Sequence, residues 1–196
     1  VVDCVSGEWF NCSPIFSTII TCKPTKAKIN KLQIQPITKS LINLRVYRIS
    51  QTKYSHDRKG SGIDGRWNSL GQYVIYTGGS LALSCLEKLV HSVGTSLYSG
   101  NFSVVIIEIP GNLPITEITT KQLIKLDANW HKVINYPITQ QLGDNWLAKM
   151  ETAVLKVPSA IIDLEYNYLL NPAHPDFDKI KIIDVNVFSF DPRLKA

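Results

Sequence analysis

The segment Phe102-Ser103-Val104-Val105-Ile106-Ile107-Glu108-Ile109 constrains this chain more than any other. Its core, Val104 to Ile107, is apolar without alternation, and Pro110-Gly111 ends it. A run of that length and kind is a strand covered on both faces, so the fold must hold a sheet with an enclosed layer. Period-2 alternation places a second strand at residues 44–49, with Leu44, Val46 and Arg48 on one face and Arg45, Tyr47 and Ile49 on the other. Residues 73–77, bounded by Gly71 and Gly78, predict a third, and residues 160–164 and 180–187 two more. Ser80 to Ser92 predicts a helix with Ser80 as N-cap and an apolar stripe of Ala82, Leu83, Leu86, Leu89 and Val90. Residues 116–153 are expected to be helical in pieces, broken at Pro137 and Gly143, and the Asn and Pro residues across 167–175 predict turns. Strands and helices mix without a regular βαβ rhythm, so the expected class is α+β.

The 196 residues fit one domain with a short appendage. Residues 1–40 show no period of 2 or 3.6 and are expected to be an N-terminal extension of unknown role, leaving 41–196 as the domain. Cys4, Cys12, Cys22 and Cys85 match no zinc spacing, so free thiols and no metal site are expected. No apolar run approaches the roughly 20 residues that cross a bilayer. The apolar stretch 14–22 lacks the basic residues that precede a signal sequence, and the expected location is the cytoplasm. The net charge of +5 is uneven: residues 1–60 carry 10 Lys/Arg against 3 Asp/Glu, and residues 61–196 carry 11 against 13. A basic front half admits nucleic acid as a partner, but the charges are scattered, without the dense run of a nucleic-acid footprint.

Gly60-Ser61-Gly62-Ile63-Asp64-Gly65 matches G-x-G-x-x-G in the wrong context. A dinucleotide fingerprint leaves a strand and opens a helix. Here Arg66-Trp67-Asn68-Ser69 follows, and then a strand. What survives is a loop whose backbone N–H groups can approach phosphate, with Arg48 and Arg66 as the cations best placed to serve it through bidentate bonds; for each, a surface ion pair or no partner is the alternative. Ser80, Ser84, Glu87 and His91 form one polar stripe on the helix. That stripe is either a solvated face or the wall of a cleft in which Glu87 meets substrate. Ser159 lacks the Asp and His partners of a serine nucleophile, and for His174 a structural hydrogen bond is the simpler expectation.

Taken in order from Leu44 to Leu194, these segments resemble the RES domain, the toxin half of Xre–RES toxin–antitoxin pairs. The resemblance rests on Tyr47-Arg48-Ile49, on Gly65-Arg66-Trp67-Asn68 with Gly71, and on the strand ending Tyr76-Thr77. It continues through Leu81-Ala82-Leu83 to Glu87 and His91, then Gly143-Asp144-Asn145-Trp146-Leu147 and Val157-Pro158-Ser159. It closes with Asn167-Tyr168-Leu169-Leu170-Asn171-Pro172-Ala173-His174 and Phe190-Asp191-Pro192-Arg193-Leu194. The chain departs from the family in the glycine-rich stretch Thr77-Gly78-Gly79-Ser80 before the helix.

The resemblance implies an ADP-ribosyltransferase-like fold of mixed sheets with flanking helices. It also implies a toxin that consumes NAD by cleaving the nicotinamide–ribose bond, as a glycohydrolase or phosphorylase. The family's Arg, Glu and Ser map to Arg48 (or Arg66), Glu87 and Ser159, expected to be catalytic. Arg48, Arg66, Tyr76, Tyr47, Gly65 and Asn171 are expected to bind NAD, which enters as substrate with no permanent cofactor. The implied partner is an Xre-type antitoxin, with nucleic acid reached only through it, no membrane, and a homodimer left open. The alternatives are a protein mono-ADP-ribosyltransferase and a non-enzymatic, basic nucleic-acid-binding module.

Overall fold

The computed structural model describes residues 42–92, Leu97 and residues 101–195. The expected extension 1–40 and Cys4, Cys12 and Cys22 lie outside the described residues. Among the described residues there are seven strands: β1 (Leu44–Gln51), β2 (Ile75–Gly78), β3 (Phe102–Ile109), β4 (Ile115–Glu117), β5 (Val154–Pro158), β6 (Tyr166–Leu170) and β7 (Lys181–Phe188). With them are the α-helices α1 (Leu81–Val90), α2 (Thr120–Leu126) and α3 (Tyr136–Lys149). The strands form one sheet in the order β4-β5-β6-β2-β1-β3-β7. The β4–β5 pair is parallel and every other pair antiparallel. The architecture is α+β, as expected from the mixture of periods.

The apolar run that most constrained the sequence is β3, paired along its whole length with β1 and along most of it with β7. Its two faces feed two different cores. Val105 and Ile107 join Val46, Ile75, Val154 and Leu170 on one side, while Phe102 and Val104 join Ile49, Leu89 and Phe190 on the other. A third core gathers Trp67, Trp130, Trp146, Leu155 and Leu169 beneath α2 and α3.

Three expectations are corrected. The strand expected at 160–164 lies earlier, at β5, because the Ser159 hydroxyl accepts from the N–H groups of Ile161 and Ile162 and turns the chain there. The 167–175 stretch is not all turn: its first part is β6, between β2 and β5, and only the part after Leu170 turns. Within 116–153 a short strand, β4, precedes the helices, and neither Pro137 nor Gly143 breaks α3. Pro137 sits in the first turn, where its missing N–H costs no hydrogen bond. Gly143 lies inside the helix, where an added Cβ would be 2.8 Å from the Trp67 carbonyl carbon.

The sheet has one weak seam. β1 and β2 share a single register pair, Tyr47 with Gly78, whereas β1 and β3 share eight. Beyond that pair the register between the two strands ends, and a large concavity lies at the seam. No helix of the described residues is long and apolar enough to cross a membrane.

Candidate active site

The seam opens into a cleft of about 500 Å³, in the range of small-molecule and cofactor sites. Its walls come from β1, β2, α1, the 61–67 loop, Tyr136 at the start of α3, and Asn167 on β6.

Gly78 is what lets α1 sit so low over the sheet. A Cβ there would lie 2.5 Å from the Ser84 Oγ and 3.0 Å from the Ser84 backbone nitrogen. The Ser84 hydroxyl donates to the Tyr47 carbonyl at 2.8 Å, pinning the helix across the seam. Ser80 caps the helix as expected, accepting from the Leu83 N–H, and its hydroxyl donates to Glu165 at 2.6 Å. The expected apolar stripe is partly displaced: Leu83, Ser84 and Leu89 are buried, and Ala82 and Val90 are exposed. Of the polar stripe, Ser84 and Glu87 therefore turn toward the sheet and cleft, while His91 at its end stands exposed at the rim.

Glu87 projects from α1 into the cleft, its side chain 25% exposed. Its Oε1 accepts from the Ser159 hydroxyl at 3.1 Å and from the Asn167 amide at 2.6 Å. Its Oε2 accepts no hydrogen bond among the described residues, and the His91 Nε2 lies 3.9 Å from it. Ser159 is buried, and its two lone pairs are taken by the N–H groups of Ile161 and Ile162. A hydroxyl has one proton to give, and here it goes to Glu87.

Arg66 enters from the opposite wall. Its guanidinium lies 4.5 Å from the centre of the Tyr136 ring and 5.9 Å from that of Trp130, and it donates to the Trp130 carbonyl at 3.2 Å. Burial pulls its pKa below the ordinary value, while Tyr136, Glu87 and Tyr76 pull it back up. A guanidinium keeps its charge through such shifts. Glu87 and Arg66 thus sense each other across the cleft without forming an ion pair.

The segment carrying Arg66 is fastened to one face of α3. Gln140 donates to the Gly65 carbonyl at 2.9 Å, Thr139 to the Arg66 carbonyl at 2.6 Å, and Asp144 accepts from the Ser69 N–H at 3.0 Å. Gly143 completes that face by allowing contact with the Trp67 backbone. From the other side the Tyr76 hydroxyl donates to Asn68 Oδ1 at 2.6 Å and accepts from the Trp67 N–H at 3.0 Å. Burial holds the Tyr76 phenol well above the usual tyrosine range.

Of the residues expected in the site, Tyr47, Arg48, Gly65, Arg66, Tyr76 and Glu87 line one cleft, and Ser159 stands behind Glu87. Arg48 belongs to the opposite sheet face from Tyr47, reaches the cleft where the strands part, and donates to the Asp57 carbonyl at 3.0 Å. Burial lowers its pKa, and the Asp57 carboxylate opposes that effect.

Asn171 is not brought to the cleft. It is buried, donates to the Met150 sulfur and accepts from the Ala173 N–H, so its side chain shapes the turn after β6. His174 is structural as expected, with Nδ1 accepting from the Asp176 N–H. Gly60 and Gly65 serve packing, since a Cβ on Gly60 would lie 2.6 Å from the Val74 carbonyl oxygen and one on Gly65 2.7 Å from the Tyr76 hydroxyl, while Gly62 supplies a positive φ of 67°. The Gly65 N–H is spent on the Asn68 carbonyl. Asn167, Tyr136 and the α3 face of Thr139, Gln140 and Gly143 were missed by sequence reasoning. Only the polar Asn167 at the start of an otherwise apolar strand could have signalled one of them.

A seam-opened α+β sheet with a helix-borne carboxylate facing an aromatic-flanked arginine defines the class, and comparison supplies the family. The RES domain model matches residues 45–192, and the chain belongs to that family. A Sphingobium protein named Prs ADP-ribosylating toxin is 34% identical, over 76% of this chain and 94% of its own length. Proteins named Toxin Res from Photorhabdus laumondii and Yersinia enterocolitica are each 34% identical, covering 96% and 100% of their lengths. The fold is also that of a chain in the crystal structure of the M. tuberculosis MbcT–MbcA toxin–antitoxin complex, with a TM-score of 0.62 at 15% identity over 76% of this chain and 86% of that one.

Proposed function

We propose that this chain is the toxin of a toxin–antitoxin pair and that it consumes NAD by breaking the bond between nicotinamide and ribose. The observation that carries the reading is Glu87: one carboxylate oxygen is held by two donors, and the other is left for a ligand in a cleft shared with a guanidinium that has no carboxylate partner among the described residues. An anionic, ribose-bearing molecule fits that pairing of charges. Arg66 takes the pyrophosphate, with Arg48 as a second cation at the floor of the cleft. The faces of Tyr76 and Tyr47 line the path of the nicotinamide ribose, and Gly65 keeps the wall low beside them.

Glu87 Oε2 accepts from a ribose hydroxyl and stabilises the positive charge that grows at the anomeric carbon as the glycosidic bond stretches. Nicotinamide leaves as a neutral base, so its departure needs no general acid. Ser159 holds Glu87, its own proton being committed to the carboxylate. The relatives' toxin names and the antitoxin complex of the structural neighbour support an antitoxin as partner. We take it to be of Xre type, covering the cleft, with nucleic acid contacted only by the antitoxin.

A second reading, transfer of ADP-ribose to a protein, is favoured by the name of the Sphingobium relative. Incubating the purified chain with NAD labelled in the adenylate half separates the outcomes. Free ADP-ribose means hydrolysis, ADP-ribose 1″-phosphate means phosphorolysis, and label on protein means transfer. Glu87→Gln is expected to lower the rate about 10²- to 10³-fold, the usual cost of removing one transition-state electrostatic contact. A folded Glu87→Gln protein with undiminished nicotinamide release would remove Glu87 from the chemistry.

A further inference from the structure

We propose that Asn167 is a positioning residue for Glu87, selecting which carboxylate oxygen meets the substrate. The inference rests on the reading of Glu87 as the carboxylate beside the reacting ribose.

The sheet register carries the argument. Tyr47 pairs with Gly78, Gly78 with Asn167, and Asn167 with Val157, so these four positions form one row across the seam on a common face. At Gly78 that row has no side chain, and α1 settles there through Ser84. One turn further along α1, Glu87 reaches the next occupied position of the row, Asn167, at 2.6 Å. An ionised carboxylate only accepts hydrogen bonds, so the Asn167 amide must turn its NH₂ toward Glu87 whichever way the group is drawn.

Ser159 donates to the same Oε1 from the end of β5. Two donors from neighbouring strands on one oxygen fix the carboxylate plane, and Oε2 is turned to the cleft. Neither donor needs to touch the substrate. Asn167 acts by denying Glu87 its other rotamers and by supplying a hydrogen bond to the charged form.

The test uses the full chain, purified, with nicotinamide release from NAD measured across NAD concentration for wild type, Asn167→Ala and Asn167→Asp. Loss of a hydrogen bond to a charged group predicts a kcat about 10- to 100-fold lower. KM is expected to stay within about twofold, because Arg66 and Arg48 are untouched. Asn167→Asp keeps the shape, removes the donor and adds like charge, so its kcat is expected to fall at least as far as that of the alanine variant.

A merely structural Asn167 would lower the melting temperature and the active fraction, and a thermal unfolding scan with active-site titration reads that directly. Wild-type kcat in folded Asn167→Asp overturns the proposal while leaving the NAD reading intact. A rise in KM at constant kcat also overturns it, since that marks direct substrate binding. If the wild type releases no nicotinamide, the NAD reading itself fails, and this proposal falls with it.

Discussion

Gly143→Ala tests whether α3 sets the position of the arginine that faces Glu87. A Cβ at 143 would stand 2.8 Å from the Trp67 carbonyl carbon and 3.3 Å from its Cα, with the carbonyl oxygen closer still. Carbon atoms rest about 3.5–4.0 Å apart and the oxygen is nearer than the carbon, so the Trp67 backbone or the helix must retreat by at least about 1 Å. Retreat is costly on both sides, because Thr139, Gln140 and Asp144 hold the neighbouring residues of the 65–69 segment to the same helix face. Overpacking of this kind costs about 1–3 kcal/mol, and alanine returns about 1 kcal/mol through its better helix propensity. The net loss is about 0–2 kcal/mol, a fall of a few degrees in melting temperature for a domain of this size. Activity should suffer more, since a displacement of about 1 Å in a substrate-positioning group can cost about 10²-fold. Steady-state NAD turnover is expected to give a raised KM and a kcat/KM lower by about 10- to 100-fold. A Gly143→Ala protein with kcat/KM within about twofold of wild type would refute the template role of α3.

Two further outcomes follow from the same geometry. Arg66→Lys is expected to raise KM for NAD at least tenfold, because an ammonium cannot stack flat against Tyr136 or hold a pyrophosphate through two parallel bonds; saturation curves check it. Tyr76→Phe strands the Trp67 N–H and Asn68 Oδ1, at about 1–3 kcal/mol of stability, and it also changes the alkaline limb. The folded-state phenol titrates above its unfolded value of about 10, so native stability is complete below that pH and declines as pH rises beyond it. Chemical denaturation from pH 8 to about 11 should show Tyr76→Phe lower at the start and with a shallower decline.

What the sequence could disclose depended on how local each signal was. β3 and the N-cap of α1 are written in consecutive residues, and the structure has them where they were expected. β5 and β6 escaped because Pro158, Asn167 and Asn171 punctuate them like turns, and because their burial comes from Trp146, Leu147 and Trp130 far away in the chain. Gly143 and Gly78 look like helix and strand breakers in isolation. Each is instead a place where two backbones meet, and that depends on a partner 76 positions away for Gly143 and on a helix packing onto a strand for Gly78. The same limit applied to the site. Helical spacing put Glu87 on a polar stripe but left its role open, and only family resemblance chose it and Ser159, while Asn167 and Thr139 owe their places to pairings that no spacing rule encodes. Asn171, in a motif-rich turn, was assigned to ligand binding although its own hydrogen bonds explain its presence.

The two sides of the cleft rest on separate supports, and this gives their variants different kinetic signatures. Glu87 is fixed by α1, β5 and β6 through Ser84, Ser159 and Asn167. Arg66 is fixed by α3 and by Tyr76 through backbone contacts of residues 65–69. If Arg66 binds substrate in both ground and transition states, loosening its support weakens uniform binding and appears in KM. If Glu87 answers charge that exists only as the glycosidic bond breaks, loosening its support appears in kcat. Gly143→Ala and Asn167→Ala, each altering a support and neither a group that contacts substrate, should therefore separate along those two axes, and the double variant should combine them nearly additively because the supports share no residue. Strong non-additivity would mean that the walls move as one body across the Tyr47–Gly78 junction, and the division of labour between binding wall and chemical wall would have to be abandoned.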